Sequence, residues 1–143
     1  MKLKDIDMVE RHEFDGNLYA IVLRSVPDIQ GCRFVTSDDA SLQLGVQVHH
    51  SGYAEVAHYH PRVLRQIESL HQVVHIISGC VRFEFFRNDG ILLGAVVVGP
   101  GETLLLTEHG HRMIVLEDAQ AVTVKQGPFL GDSCDKKSIP ETQ

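Results

Sequence analysis

Four of the nine histidines in this chain fall in two short pairs. His58 and His60 lie two residues apart in G-Y-A-E-V-A-H-Y-H, and His109 and His111 are spaced the same way in E-H-G-H-R. Side chains of a β-strand alternate between two faces, so each pair offers two imidazoles in one direction. Neutral imidazole is the commonest metal-ligating side chain at physiological pH. Two separated strands that present imidazole to one interior can close around a divalent transition ion. Fe, Zn, Ni, Mn and Cu all suit such a donor set.

The first pair sits in a longer pattern. Gly52, His58 and His60 match G-x5-H-x-H, the opening of the first sequence motif of the cupins, and Gly79 fits that motif's closing glycine. The motif's glutamate position is held by Gln72, and the spacer between His60 and Gln72 is longer than is usual there. Gly101 and Thr103 to Leu106 fit the start of the second motif. Thr107 stands where that motif has proline, and Val115 where it has asparagine. Over about residues 40 to 127 the chain therefore resembles a small single-domain cupin. The resemblance implies a cupin-type β-barrel (a jelly roll), a homodimer, and a metal held by His58, His60 and His111 with Gln72 as a fourth donor. His109 shares the parity of His111 and is its alternative. His111 is preferred because it opens a strand.

The elements that must position these residues are strands. Leu18 to Arg24 is β-branched and aromatic, and Cys32 to Thr36 is a short strand candidate. Leu42 to His50 alternates apolar and polar, which predicts a half-buried strand, and Ser51-Gly52 turns the chain into a strand over Glu55 to Tyr59. Pro61 to His71 has apolar residues at helical steps and predicts a short helical turn or a lid-like loop. From Gln72 the pattern is all strand, with turns at Gly79 and at Asn88-Asp89-Gly90, the latter a hairpin signal. Asp15-Gly16-Asn17 is a further turn, in a segment 1 to 17 that reads as mixed and polar. Short strands at regular spacing predict an all-β barrel or sandwich. One domain over residues 1 to 143 is expected, with a barrel core at about 18 to 128 and a frayed polar tail from Gly131.

Composition narrows the function. The chain has 143 residues, 43% of them hydrophobic, and a formal net charge of −6. An acidic chain without a Lys/Arg cluster disfavours nucleic acid as a partner. Its longest apolar run, Ile91 to Val98, falls well short of a membrane helix. The N-terminus has no apolar signal core, and three widely spaced cysteines form no disulfide framework, which together suggest the cytoplasm.

A carboxamide at position 72 brings no charge where a carboxylate would bring one. The ion would keep its full positive charge and favour a small anionic organic ligand. Arg62 and Arg65 could add contacts to that anion, and His50 and Gln126 are further pocket candidates. Gln126 follows Val122 and Val124 in parity. Glu84 alternates with Phe83 and Phe85 and is expected to face water. His71 and His75 have the parity opposite to Gln72, and His12 has no evident partner. The function best matched by these residues is a metal-dependent enzyme (oxygenase, isomerase or lyase) acting on a small organic acid or carbohydrate derivative. A barrel that binds or senses a small ligand without turnover is the alternative. A metal-free isomerase of sugar nucleotides, using a histidine base and a tyrosine, would need His60 or His111 paired to a carboxylate.

Overall fold

The computed structural model describes residues 8–140. Eight strands and one helical turn make up its regular structure: β1 (Val9–Phe14), β2 (Asn17–Leu23), β3 (Gly31–Phe34), β4 (Gly45–Val48), β5 (Gln72–Phe86), β6 (Leu92–Val98), β7 (Thr103–Leu106), β8 (Gly110–Lys125) and α1 (Asp132–Asp135). Six strands form one antiparallel sheet in the order β1-β2-β7-β5-β6, with β8 along the other edge of β5. β3 and β4 form a separate pair. The large sheet curls into an antiparallel half-barrel. No helix among the described residues is long and apolar enough to cross a membrane.

Local chemistry explains the turns. Phe14 pairs with Asn17, leaving Asp15 (φ 53°) and Gly16 (φ 77°) as a two-residue loop. Two consecutive positive φ values suit the right-handed twist of a hairpin, and Asp-Gly tolerates them. Asn88-Asp89-Gly90 closes the β5–β6 hairpin, where the Gly90 amide donates to the Arg87 carbonyl at 2.9 Å. Arg24, at the end of β2, reaches Glu10 on β1 at 2.8 Å, Glu102 before β7 at 2.9 Å and the Val97 carbonyl on β6 at 2.7 Å.

β5 is the strand on which the fold turns. Its first part pairs with β7 and its last part with β6 on one edge, while β8 follows the other edge from Gln72–Lys125 to Phe86–Gly110. The turn expected at Gly79 is instead a break inside one strand. Gly79 has φ 85°, and the register with β8 shifts three times between Ile76 and Val81. Each such shift changes which residues face inward. Before Gly79 the core residues are Val74 and Ile76; after it they are Val81, Phe83 and Phe85. They pack with Ala20, Val22, Val98, Leu104 and Leu106.

Several expectations are corrected. Glu55 to Tyr59 pairs with no described strand, and Pro61 to His71 forms no helical turn; residues 49–71 form an arm without strand or helix, exposed from 49 to 68. The Leu42 to His50 strand shortens to β4, Gly45–Val48. The polar segment before residue 18 contains β1, whose His12 ring lies 5.2 Å from that of Phe85. Glu84 does lie on the face opposite Phe83 and Phe85, but it is buried there between Arg112 (2.7 Å) and Arg82 (3.2 Å). The β5–β8 register sets Ala121 and Thr123 opposite the core residues Ile76 and Val74. Val122 and Val124 therefore face outward, and the parity that aimed Gln126 inward does not hold. The tail is not uniformly frayed: it forms α1, and Ile139 lies over Gly110.

A side chain at position 79 would meet the backbone of Asp118 and Ala119 in addition to an unfavourable φ. Gly101 has a similar φ of 80° with nothing within 4 Å of its would-be Cβ. Gly79→Ala should therefore cost about 3 kcal/mol, and Gly101→Ala only about 1 kcal/mol. Urea midpoints of the two variants at unchanged m-value check the difference.

Candidate functional site

The curl of β5 assembles the site. Leu106 pairs with Gln72 at the start of β5, and His111 pairs with Phe85 near its end. Only Thr107, Glu108, His109 and Gly110 separate Leu106 from His111. A flat strand as long as β5 would hold those two ends roughly 40 Å apart at about 3.3 Å per residue. Curled, it brings the Gln72 side chain to His111, with Gln72 Nε2 3.2 Å from His111 Nε2.

The link itself is pinned by Thr107, which is buried. Its hydroxyl donates to the Leu18 carbonyl at 2.7 Å, and its backbone N–H donates to the Tyr19 carbonyl at 3.1 Å. A proline here would have no N–H to give. Next along, the His109 ring stacks on Tyr19 at 4.7 Å. Burial, with the nearby charge of Asp15, pushes the Tyr19 phenol up, against the pull of Arg87. Tyr19 is thus a neutral phenol at physiological pH.

Hydrogen bonding selects the His111 tautomer. Its Nδ1 lies 2.9 Å from the His109 carbonyl, which can only accept. Nδ1 therefore carries the proton, and Nε2 turns its lone pair toward the Gln72 amide. His58 repeats the arrangement, with Nδ1 2.9 Å from the Val56 carbonyl. A carbonyl that fixes one ring nitrogen leaves the other ready to ligate a metal. His60 stands nearly perpendicular to His58 with ring centroids 5.2 Å apart.

The expected ligand set thus forms two half-sites within one chain. Gln72 and His111 meet at the mouth of the half-barrel, and His58 and His60 meet on the arm. Among the described residues, no three His, Cys, Asp or Glu side chains converge as a metal group. Arg62 and Arg65 lie exposed on the arm, and His50 is exposed at its base, where its carbonyl accepts from the Tyr53 amide at 3.2 Å. Gln126 clamps the other base of the arm. Its Oε1 accepts from the His71 amide and its Nε2 donates to the Ser41 carbonyl, both at 2.8 Å. His75 bonds to Thr103 at 2.9 Å on the outer face.

One pairing had no signal in the sequence. His71 Nε2 lies 2.8 Å from Glu108 Oε2, and His71 Nδ1 lies 3.3 Å from the Ser41 hydroxyl. Nothing in periodicity relates positions 71 and 108; only the curl joins them. A cavity of about 930 Å³ opens at the start of β8, walled by His109, His111, Arg112, Lys136 and Lys137 among others. No family model, curated protein or solved structure matches this chain.

Burial pushes the Glu108 carboxyl up, but its own backbone N–H, the His71 hydrogen bond and the charges of His109 and His71 pull harder, and it lies below the usual carboxylate range. A depressed folded value stabilises the fold above the unfolded carboxylate pKa and ceases to do so as pH falls through the folded one. Glu108→Gln should therefore lower stability at neutral pH, and the difference from wild type should shrink on acidification through the carboxylate range. Urea unfolding across that pH series measures it.

Proposed function

We propose that this chain is a metal-binding protein of cupin type, an enzyme that acts on a small anionic organic acid or carbohydrate derivative. His58, His60 and His111 would hold the ion, with Gln72 as a neutral fourth donor. The observation that carries this reading is the Gln72–His111 contact, with His111 locked in the tautomer that frees Nε2. His58, locked the same way, is its counterpart on the arm.

The donor chemistry fits a divalent transition ion. A bound ion would supply Lewis acidity toward an oxygen of the substrate. The protein's own residues account for the preference for an anion. Of the inward-facing residues near the site, Gln72, Val74, His111 and Met113 bring no carboxylate, and Lys125, opposite Gln72, holds Asp135 at 4.0 Å, so an ion held by the imidazoles would keep its charge. The cavity wall carries Arg112, Lys136 and Lys137 together with Glu108 and Asp135, so its charges are mixed. Tyr19, a neutral phenol, stacks on the ring of His109, the residue whose backbone carbonyl orients His111.

Metal content and dissociation constants test the reading. Wild type should bind one equivalent of a divalent transition ion. His111→Ala should weaken binding by roughly 100-fold or more, since loss even of an outer hydrogen-bond partner costs 10–100-fold. Gln72→Glu should bind the ion more tightly and small anions more weakly. A wild-type protein that holds no ion at one equivalent, or a His111→Ala variant that binds as tightly as wild type, would sink the proposal.

A further inference from the structure

We infer that the two half-sites are joined between two copies of this chain, each lending its 49–71 arm to the other. The inference deepens the metal reading above and rests on it for the ligand set, but the exchange has observations of its own.

The arm pairs with no described strand and carries large apolar side chains among its polar ones. Tyr53, Val56, Tyr59, Val63, Leu64 and Ile67 are 44–94% exposed. Soluble proteins rarely leave such a run of large apolar side chains uncovered. Both ends of the arm are held, by β4 on one side and by β5 with the Gln126 clamp on the other. It is therefore a tethered projection rather than a loose end.

The half-barrel has the matching deficit. Among the described residues β8 pairs with no strand but β5, so beyond its start, where Ile139 lies over Gly110, its other edge is a row of backbone donors and acceptors that no described strand meets. Its inward residues Met113 and Val115 lie opposite Phe83 and Val81, which are 1% and 2% exposed. Met113 and Val115 themselves are 55% and 52% exposed. This is a core face with one wall missing.

Arm and edge are complementary in register. An antiparallel pairing that sets His60 opposite His111 also sets His58 opposite Met113 and Val56 opposite Val115. All three then share the inner face, where directly opposed residues touch. Both arm imidazoles come beside Gln72 and His111, and Val56 covers the open apolar wall. Ala57 falls opposite Ile114 on the outer face.

A second copy is the occupant that answers every deficit at once. Residues 49–68 are exposed throughout, so the arm does not cover its own half-barrel, and a two-fold exchange pairs both bare edges, covers both arms and closes both ligand sets. An unrelated partner would have to bring its own imidazoles.

Two lesions placed in trans test this. Chains carrying His60→Ala and chains carrying His111→Ala are co-expressed with different tags, and the mixed dimer is isolated through both. Each variant alone should lose metal. The mixed dimer should recover one intact site, about half the wild-type content per dimer. Sites built within one chain would both stay broken, and no recovery would overturn the exchange. A second measurement does not depend on metal. Ala57→Cys/Ile114→Cys, oxidised and run on a non-reducing denaturing gel beside wild type, should give a covalent dimer. A cross-linked monomer would mean that the arm folds onto its own β8, and no new cross-link would mean that it pairs with neither; both overturn the exchange. A covalent dimer from a protein that binds no metal would uphold the exchange and discard the metal reading.

Discussion

β5 must pair on both edges while turning back on itself, and the rest of the molecule depends on that constraint. A uniform strand of this length would make a flat ribbon with its ends far apart. Gly79, at a φ that costs other residues energy, and the register shifts around it let β5 curl. The shifts exchange which residues face inward, so that Val74 and Ile76 before the bend share one core with Phe83 and Phe85 after it. The curl also lets the short link from Thr107 to Gly110 span the two ends of β5, and it is what sets Gln72 against His111.

The parts legible in the sequence are those whose pairing and burial coincide. Leu18 to Arg24, Ile91 to Val98 and Thr103 to Leu106 carry buried apolar residues in strand-like runs and emerge as β2, β6 and β7 within a residue or so. Three features escape for physical reasons. β1, V-E-R-H-E-F, presents Glu10 and His12 to its neighbours, and these suit that face only because Arg24 and Phe85 await them. A glycine between apolar runs reads as a turn, since nothing local distinguishes a turn from a bulge; the two runs around Gly79 are one strand because β8 spans both. Glu55 to Tyr59 alternates as a strand should, yet a strand exists only where an edge meets it, and alternation does not name the edge. The helical spacing in Pro61 to His71 rests on three residues without caps, too little to nucleate a helix.

Charge is handled by pairing on the periphery. Glu84 is held by Arg82 and Arg112, Glu10 and Glu102 by Arg24, and Glu108 by His71. Each carboxylate sits on the outer face, at a rim or in a connecting link. The inner face toward His111 carries the Gln72 carboxamide and hydrocarbon, with Lys125 opposite Gln72 on β8. A glutamate at position 72 would add a negative charge beside that lysine. Glutamine there donates to the His111 lone pair and brings no charge.

The same curl that sets Gln72 against His111 also leaves the half-barrel open, because β8 ends the sheet with an edge and an apolar face exposed. The arm carries the opposite fault, apolar side chains without a wall. Under the proposed exchange neither fault could be removed alone: shortening the arm would leave the edge of β8 bare, and adding charge to the inner face of β8 would strand the arm. Site and assembly would then be linked thermodynamically. An ion that binds only the closed pair stabilises that pair by mass action, and dilution that separates the chains would weaken the ion's hold with no change in any ligand. The two copies would share a single equilibrium, in which a curled strand, a bare edge and four side chains from two chains must all be in place together.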